Sequence, residues 1–431
     1  MKNKVLLKIN NLLVIVGIFS FLFLWDIKPN IFEPRYLIGL PVFSLIFLYN
    51  YKKLNLKKTL YNLIYPIFIC FHLLILSYFF QYNLNLRDFL GLVFLLVVVL
   101  VTTENFNFII RNFKNILNYF VISFSVIFLI FLYFSDSNLI LDCYDGWFFK
   151  NNLIFAENSH FAIISVPIIS YFLLEFSELK KYKKNDWINL SFFITFLTIS
   201  FINFSTTFLL GLILSLLAIL IKKYSNIKFL IFSIFLLLLS VVILTNYKQC
   251  IERSYGSLND IKTLYSFKNQ KFSSNLNDLS DTKVYETKKD KPQINMSIET
   301  LFTSLEITKK SFFDKPFGVG FNKYHIAHNE YIDQINLVDP DIKKNNIFDG
   351  STNISKLITE FGIFGIIFIL FVPFFYFTVE KISNIEIFLL ILISMQFLRG
   401  VGYFNGGFLL AGFLLFFIFY KFHYSKKKKK N

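Results

Sequence analysis

Roughly twelve apolar runs, each long enough to cross a ~30 Å hydrocarbon core, are interrupted by one long hydrophilic stretch. No water-soluble fold accommodates that many such runs, so the chain reads as an all-α polytopic membrane protein. The runs fall near 9–25, 35–50, 59–81, 88–102, 116–134, 153–175, 187–203, 206–221, 228–245, 354–378, 384–399 and 404–420. Only 17% of the 431 residues are charged, against about 25% in ordinary soluble chains. The net charge of +16 comes mostly from lysine. It reads as a matter of membrane orientation rather than of nucleic-acid binding. The N-terminal MKNKVLLK followed by an apolar run lacks a small-residue cleavage site and reads as an uncleaved first span.

Lysine placement gives an orientation. Basic clusters at Lys2–Lys8, Lys52–Lys58, Arg111–Lys114, Lys180–Lys184, Lys222–Lys228 and Lys426–Lys430 alternate with lysine-poor loops. Twelve spans put the clusters and both termini in the cytoplasm. The expected division is spans 1–9 over 1–245, a large outer loop over 246–353, spans 10–12 over 354–422, and a basic tail over 423–431. Cys143 and Cys250 both fall on the outer side near span ends, where an oxidising compartment would permit a bond. The three cysteines have no zinc-like spacing, and no carboxylate cluster suggests a divalent metal.

Within the loop, 257–296 is polar and irregular in pattern, whereas SIETLFTSLEITKKSFF carries apolar residues at helical spacing. This helix would be capped by Ser297, with Glu299 in its first turn. It serves either as a surface helix at the membrane interface or as the floor of a site. After it comes DKPFGVGFNKYHIAHNEYIDQIN. Gly318 and Gly320 permit close backbone approach or positive φ. His325, His328 and Tyr331 would share one helical face.

Other groups carry candidate chemistry. Glu157 and His160 lie at i, i+3 inside an apolar run, where ionisable groups face a protein interior or a wet cavity. Arg399 opens the glycine-rich hairpin RGVGYFNGG, and an arginine beside such amides suits a phosphate; snorkelling explains it as well. Ser205 starts the eighth span as an anion-holding hydroxyl or a plain cap. Ser351 and Thr352 cap the tenth span, with Glu360 two turns in. His72 in the third span reads as buried by packing.

The arrangement resembles the O-antigen polymerase and O-antigen ligase superfamily. The resemblance rests on the late outer loop, on GVG followed by His328 and Asn329, and on LITEFGIFG with Glu360, Gly362 and Gly365. FAENSHFA and RGVGYFNGG are similar to stretches of the polymerase branch. It covers roughly 145–410. It implies a glycosyltransferase whose donor is an oligosaccharide on a polyprenyl diphosphate, working at the periplasmic face of the bacterial inner membrane. Such a site needs a base, donors for the leaving diphosphate and a groove for the lipid. Glu157 or His328 would be the base, and Arg399, with Arg253, would hold the diphosphate. His160, Gly318, Gly320, Asn329, Glu360, Tyr403 and Ser205 would line the substrate site. No cofactor and no metal are expected. Membrane lipid, a flippase and a chain-length regulator are the expected partners, and nucleic acid is not. A ligase joining glycan to lipid A–core or protein is the alternative within the family. A transporter is the alternative of another class, against which stand span middles nearly free of charge.

Overall fold

The computed structural model describes residues 11–19, 42, 44–46, 56–84, 86–134, 158–179, 183–202, 205–223, 229–231, 233–236, 238, 259–265, 296–400, 402–403 and 407–420. Among these residues the fold is all-helical, without a strand. Glu157, Arg253, Cys143 and Cys250 lie outside the described residues.

Eleven α-helices carry the argument among the described residues: α1 (Leu56–Phe79), α2 (Leu86–Phe134), α3 (Asn158–Glu178), α4 (Lys184–Ile202), α5 (Thr206–Lys223), α6 (Met296–Asp314), α7 (Tyr324–Tyr331), α8 (Asn353–Phe361), α9 (Ile363–Thr378), α10 (Asn384–Leu398) and α11 (Phe408–Ile418). Two of them contain segments long and apolar enough to cross a hydrocarbon core, Asp88–Ile130 and Ser159–Glu178. The apolar parts of α1, α5, α9, α10 and α11 are shorter.

The bundle is organised around α3, which packs against α4, α5 and α10. It is buried on nearly every face, as a helix apolar all round must be. α3 and α10 run antiparallel. Asn384 at the start of α10 donates to Glu175 and Glu178 at the end of α3. At the other end, Met395 and Val166 meet over Gly211. Aromatic pairs fill the core: Phe113 with Phe388 at 5.1 Å and Phe124 with Phe161 at 5.1 Å between ring centroids.

Two boundaries differ from expectation. Spans expected over 88–102 and 116–134 form one continuous helix of 49 residues. Drawn straight, it would be about 73 Å long. Its contacts exclude that. Asp88 pairs with Lys323, and Gly91 lies under Phe321, which stacks on Tyr403 just beyond the end of α10. Phe113 and Lys114 instead meet Phe388 and Glu175, at the opposite end of α3 and α10. Phe124 is back beside Phe161, at the first turn of α3. Both arms therefore rise from the Glu175 end, and the helix turns back near 106–114. There Asn105 and Asn112 donate to the carbonyls of Val101 and Phe108, side chains competing within the backbone ladder.

The span expected over 354–378 breaks at Gly362 into α8 and α9. Gly362 has φ +56°, and the Pro316 carbonyl oxygen abuts its Cα where a side chain would stand. Ile363 donates to that same oxygen at 2.9 Å. The turn after α6 thus wedges into the helix, which only glycine permits.

The segment from α6 to the start of α8 has its own small core of Ile307, Val319, Tyr324, Ala327, Tyr331, Ile332 and Ile335. α6 begins at Met296, one residue before the expected cap. One face, with Glu299, Thr303, Ser304, Ile307, Thr308 and Ser311, is buried and packs on α8, while Met296, Leu305 and Phe313 are exposed.

Candidate functional site

α8 is the post around which the distant motifs gather. Its N-terminus is capped by Thr352, whose hydroxyl accepts from the Ser355 amide at 3.1 Å. On one side lies the GVG turn. Val319 and Gly320 donate to the carbonyls of Thr359 and Glu360 at 3.0 and 2.9 Å. A side chain on Gly318, whose φ is +87°, would collide with the Glu360 carbonyl. Here the glycines admit a neighbouring backbone segment. On the other side lies the RGVG hairpin. Gly400 donates to Ser351 O at 3.2 Å, and Gly402 donates to the Asn353 side chain at 3.2 Å.

Glu360 is fully buried. Its two oxygens accept from the Asn322 amide at 2.8 Å and the Tyr324 amide at 3.0 Å. Tyr324 is the first residue of α7, so this carboxylate serves the N-terminus of the helix that carries His328. One turn earlier on α8, Lys356 is equally buried. Its ammonium donates to Phe348 O at 2.6 Å and lies 3.8 Å from Glu360, 3.9 Å from Asp349 and 5.1 Å from the Tyr403 ring centroid. The Tyr403 hydroxyl is buried facing Glu360 without closing a hydrogen bond of normal geometry. A cation enclosed by two carboxylates and an aromatic face holds α8, the 348–350 turn and the hairpin together.

His328 is 3% exposed and points away from solvent. It lines a cavity of ≈ 10 Å³, about the space of one water centre, shared with Thr303, Ser304, Tyr324, Asn346 and Ser351. Neither His328 Nδ1 nor Thr303 Oγ1 has a protein partner. Burial lowers the imidazole pKa below its ordinary 6.5, while the Asn329 side chain pulls it back up. The ring is thus held neutral, the form that accepts a proton. The shared face expected for His325, His328 and Tyr331 splits. His325 turns toward Phe348 at 5.4 Å between ring centroids, and Tyr331 donates to Asp314 at 2.9 Å. Asn329 is exposed.

Arg399 ends α10 and is half-buried. Gly400, the next residue, is bonded to Ser351, which also lines the His328 cavity. Gly318, Gly320, Tyr403, His328 and the backbone that follows Arg399 therefore gather around α8, which itself carries Glu360. Asn329, next to His328, is exposed, and the two remaining described candidates lie at the starts of other helices. His160 lies in the first turn of α3. Ser205 accepts from the Phe208 amide at 3.1 Å, a capping bond that accounts for it.

Lys323, Asp88 and Lys315, like Lys356, had no warning in the sequence. Lys323 and Asp88 form a buried ion pair at 2.5 Å, with a further bond from Lys323 to Asn83 O at 3.1 Å. His72 bonds Phe317 O at 2.9 Å and stacks on Phe361 at 5.2 Å, which joins α1 to the GVG turn. Its expected burial by packing holds, with a polar contact added. Lys315 adds a surface latch, bonded to Glu330 and to Tyr82. A chain with 44 lysines and arginines gives no sign of which ones become buried.

The chain matches no family model and no curated protein.

Proposed function

We propose that this chain is a multi-pass glycosyltransferase of the bacterial inner membrane. It polymerises oligosaccharide repeat units carried on polyprenyl diphosphate, with 246–353 in the periplasm and both termini in the cytoplasm. One observation carries the reading: of the stretches behind the family resemblance, GVG, the α7 histidine and RGVGY gather on α8, which carries the LITEF stretch. Sequence resemblance alone does not require that.

In the reaction, the hydroxyl of the terminal sugar on the acceptor attacks the anomeric carbon of the donor glycan. The anomeric C–O bond to the diphosphate breaks, and the polyprenyl diphosphate leaves with the electron pair. The hydroxyl proton passes to a base. Neutral His328 suits that task, and Arg399 suits the developing charge on the diphosphate. Around His328 the protein is closed to a sugar, so catalysis by it requires the 345–351 turn to swing away from α6. Glu360 and Lys356 act as positioning residues, holding α7 and the hairpin in register.

The test is the lipid-linked glycan that accumulates in a deletion strain complemented with variants. His328→Ala and Arg399→Ala should leave the protein at normal level in the membrane and lower chain formation by about 10²–10⁴-fold. Single lipid-linked repeat units should accumulate. Arg399→Lys should recover only part, since an ammonium lacks the bidentate fork. Long lipid-linked chains instead of single units would mean a ligase. Wild-type chain formation in both alanine variants would remove the reading. The orientation is checked separately: an alkaline phosphatase fusion at Asn275 should be active and one at Lys183 inactive.

A further inference from the structure

We infer that the trough between α5, α9 and α10 seats one acyl chain of an anionic glycerophospholipid, with its phosphate on Lys222. The inference stands independently of the glycan chemistry. The trough has a volume of ≈ 450 Å³ and an almost wholly aliphatic lining that includes Leu214, Ile369, Val372 and Leu390. One stripe of α5 is small, covered by Met395 at Gly211 and leaving room beyond it toward Lys222. Gly211, Ser215 and Ala218 recur at i, i+4, i+7, and Lys222 follows at i+11 on the same face. Along α10 it reaches from Ile387 to Leu398, a rise of about 16 Å. That is about half of a ~30 Å hydrocarbon core, the depth of one leaflet.

Charge decides which lipid. Lys222 closes one end of the trough. It donates to Val379 O at 3.1 Å and lies 5.1 Å from the Tyr376 ring centroid. Tyr376 in turn donates to Ala218 O, which fixes the ring. Among the described residues no carboxylate pairs with Lys222. The same end of the bundle does pair its other buried-edge lysine, Lys114, with Glu175 at 2.7 Å. Among the described residues one of its three ammonium donors is used, so the group keeps donors and charge to spare at the end of the trough. A phosphate there completes the shell. Basic pockets between membrane helices recognise anionic headgroups in this way. An unassisted snorkelling lysine would not discriminate among headgroups.

The experiment uses the full chain in detergent, with native mass spectrometry and thermal unfolding as readouts. Phosphatidylglycerol and phosphatidylcholine of identical acyl chains are the probes. Wild type should retain and be stabilised by phosphatidylglycerol over phosphatidylcholine. Lys222→Glu should weaken phosphatidylglycerol binding by about tenfold and erase the preference, whereas Lys222→Arg should keep it. Ala218→Phe keeps the lysine but fills the floor, and should lose retention of phosphatidylglycerol. Equal retention of both lipids by wild type overturns the inference, as does a preference that survives Lys222→Glu or Ala218→Phe. Displacement of phosphatidylglycerol from wild type by equimolar undecaprenyl phosphate also overturns it, because the trough would then belong to a polyprenyl chain.

Discussion

The α3–α5–α10 bundle and the α6–α8 layer are both well buried, yet different forces hold them. The bundle interior is aliphatic and aromatic, with ring pairs such as Phe172 and Phe193, tilted at 5.5 Å between centroids. Such contacts depend on shape and are spread over many residues. The α6–α8 layer is fastened by buried polar groups. Thr308 bonds Ser304 O at 2.8 Å and Ser355 O at 3.3 Å, and Thr359 bonds Thr308 at 3.0 Å. Tyr324 bonds Ser304 at 3.1 Å, and Glu299 takes the amides of Val338 and Asp339. A network of this kind specifies one arrangement, because each buried polar group misplaced leaves an unpaired one. The bundle should therefore tolerate change where the polar layer fails abruptly.

The largest effect should come from the Lys323–Asp88 pair, which pins the GVG turn to the start of α2. Lys323→Met or Asp88→Leu alone leaves a buried charge unpaired and should cost about 3–5 kcal/mol. The double variant should cost much less than the sum. Thermal unfolding of the four proteins in a double-mutant cycle checks this, and additive losses would show that the pair is not a closed unit.

Next comes Gly362→Ala. Positive φ and collision with Pro316 O together should cost about 2–3 kcal/mol. Gly412, in the bundle, is the control. A Cβ there meets the edge of the Phe368 ring, at 3.4 and 3.9 Å, so Gly412→Ala should be nearly neutral. Similar unfolding temperatures for the two variants would undo the contrast.

An effect tied to pH should follow from His328. Its folded pKa lies below the ordinary 6.5. Below that value the unfolded chain binds a proton that the buried ring does not. Stability of the α6–α8 layer should therefore fall as pH drops from about 7 through 6.5 toward the folded value, and should be flat above. Hydrogen exchange of α6 and α7 between pH 7.5 and 5.5 reports it, and His328→Gln should flatten the profile. Unchanged exchange in the wild type would mean that the imidazole is solvated.

The smallest effect belongs to the bundle. Phe388→Leu swaps one large apolar side chain for another and should cost about 1 kcal/mol, with part of that from the lost edge contact to Phe113. A loss above about 3 kcal/mol would show that the bundle is as exacting as the polar layer.

Several features were legible in the sequence because they rest on local chemistry. Apolar runs placed α1, α3, α4, α5, α10 and α11 to within a few residues. Ser205 and Thr352 read as caps, and both are. The helix beginning near Ser297 was visible from its spacing, but its partner was not, since a face with alternating hydroxyls suits water as well as a polar helix interface. GVG announced a special backbone without saying what approaches it.

By itself, then, the sequence determined a helical chain of long apolar runs with one long polar insertion, because apolar run length and capping residues act over a few neighbouring positions. It also set the motifs in order. Only the tertiary structure decided that Glu360 serves the helix of His328, that Lys323 and Lys356 are buried, and that α2 folds back near 106–114. Each depends on a partner between 36 and 240 residues away or, for Lys356 and the bend in α2, on what distant segments enclose. A buried charge is stable only where such a partner closes around it, and nothing in its neighbouring residues records where that partner is.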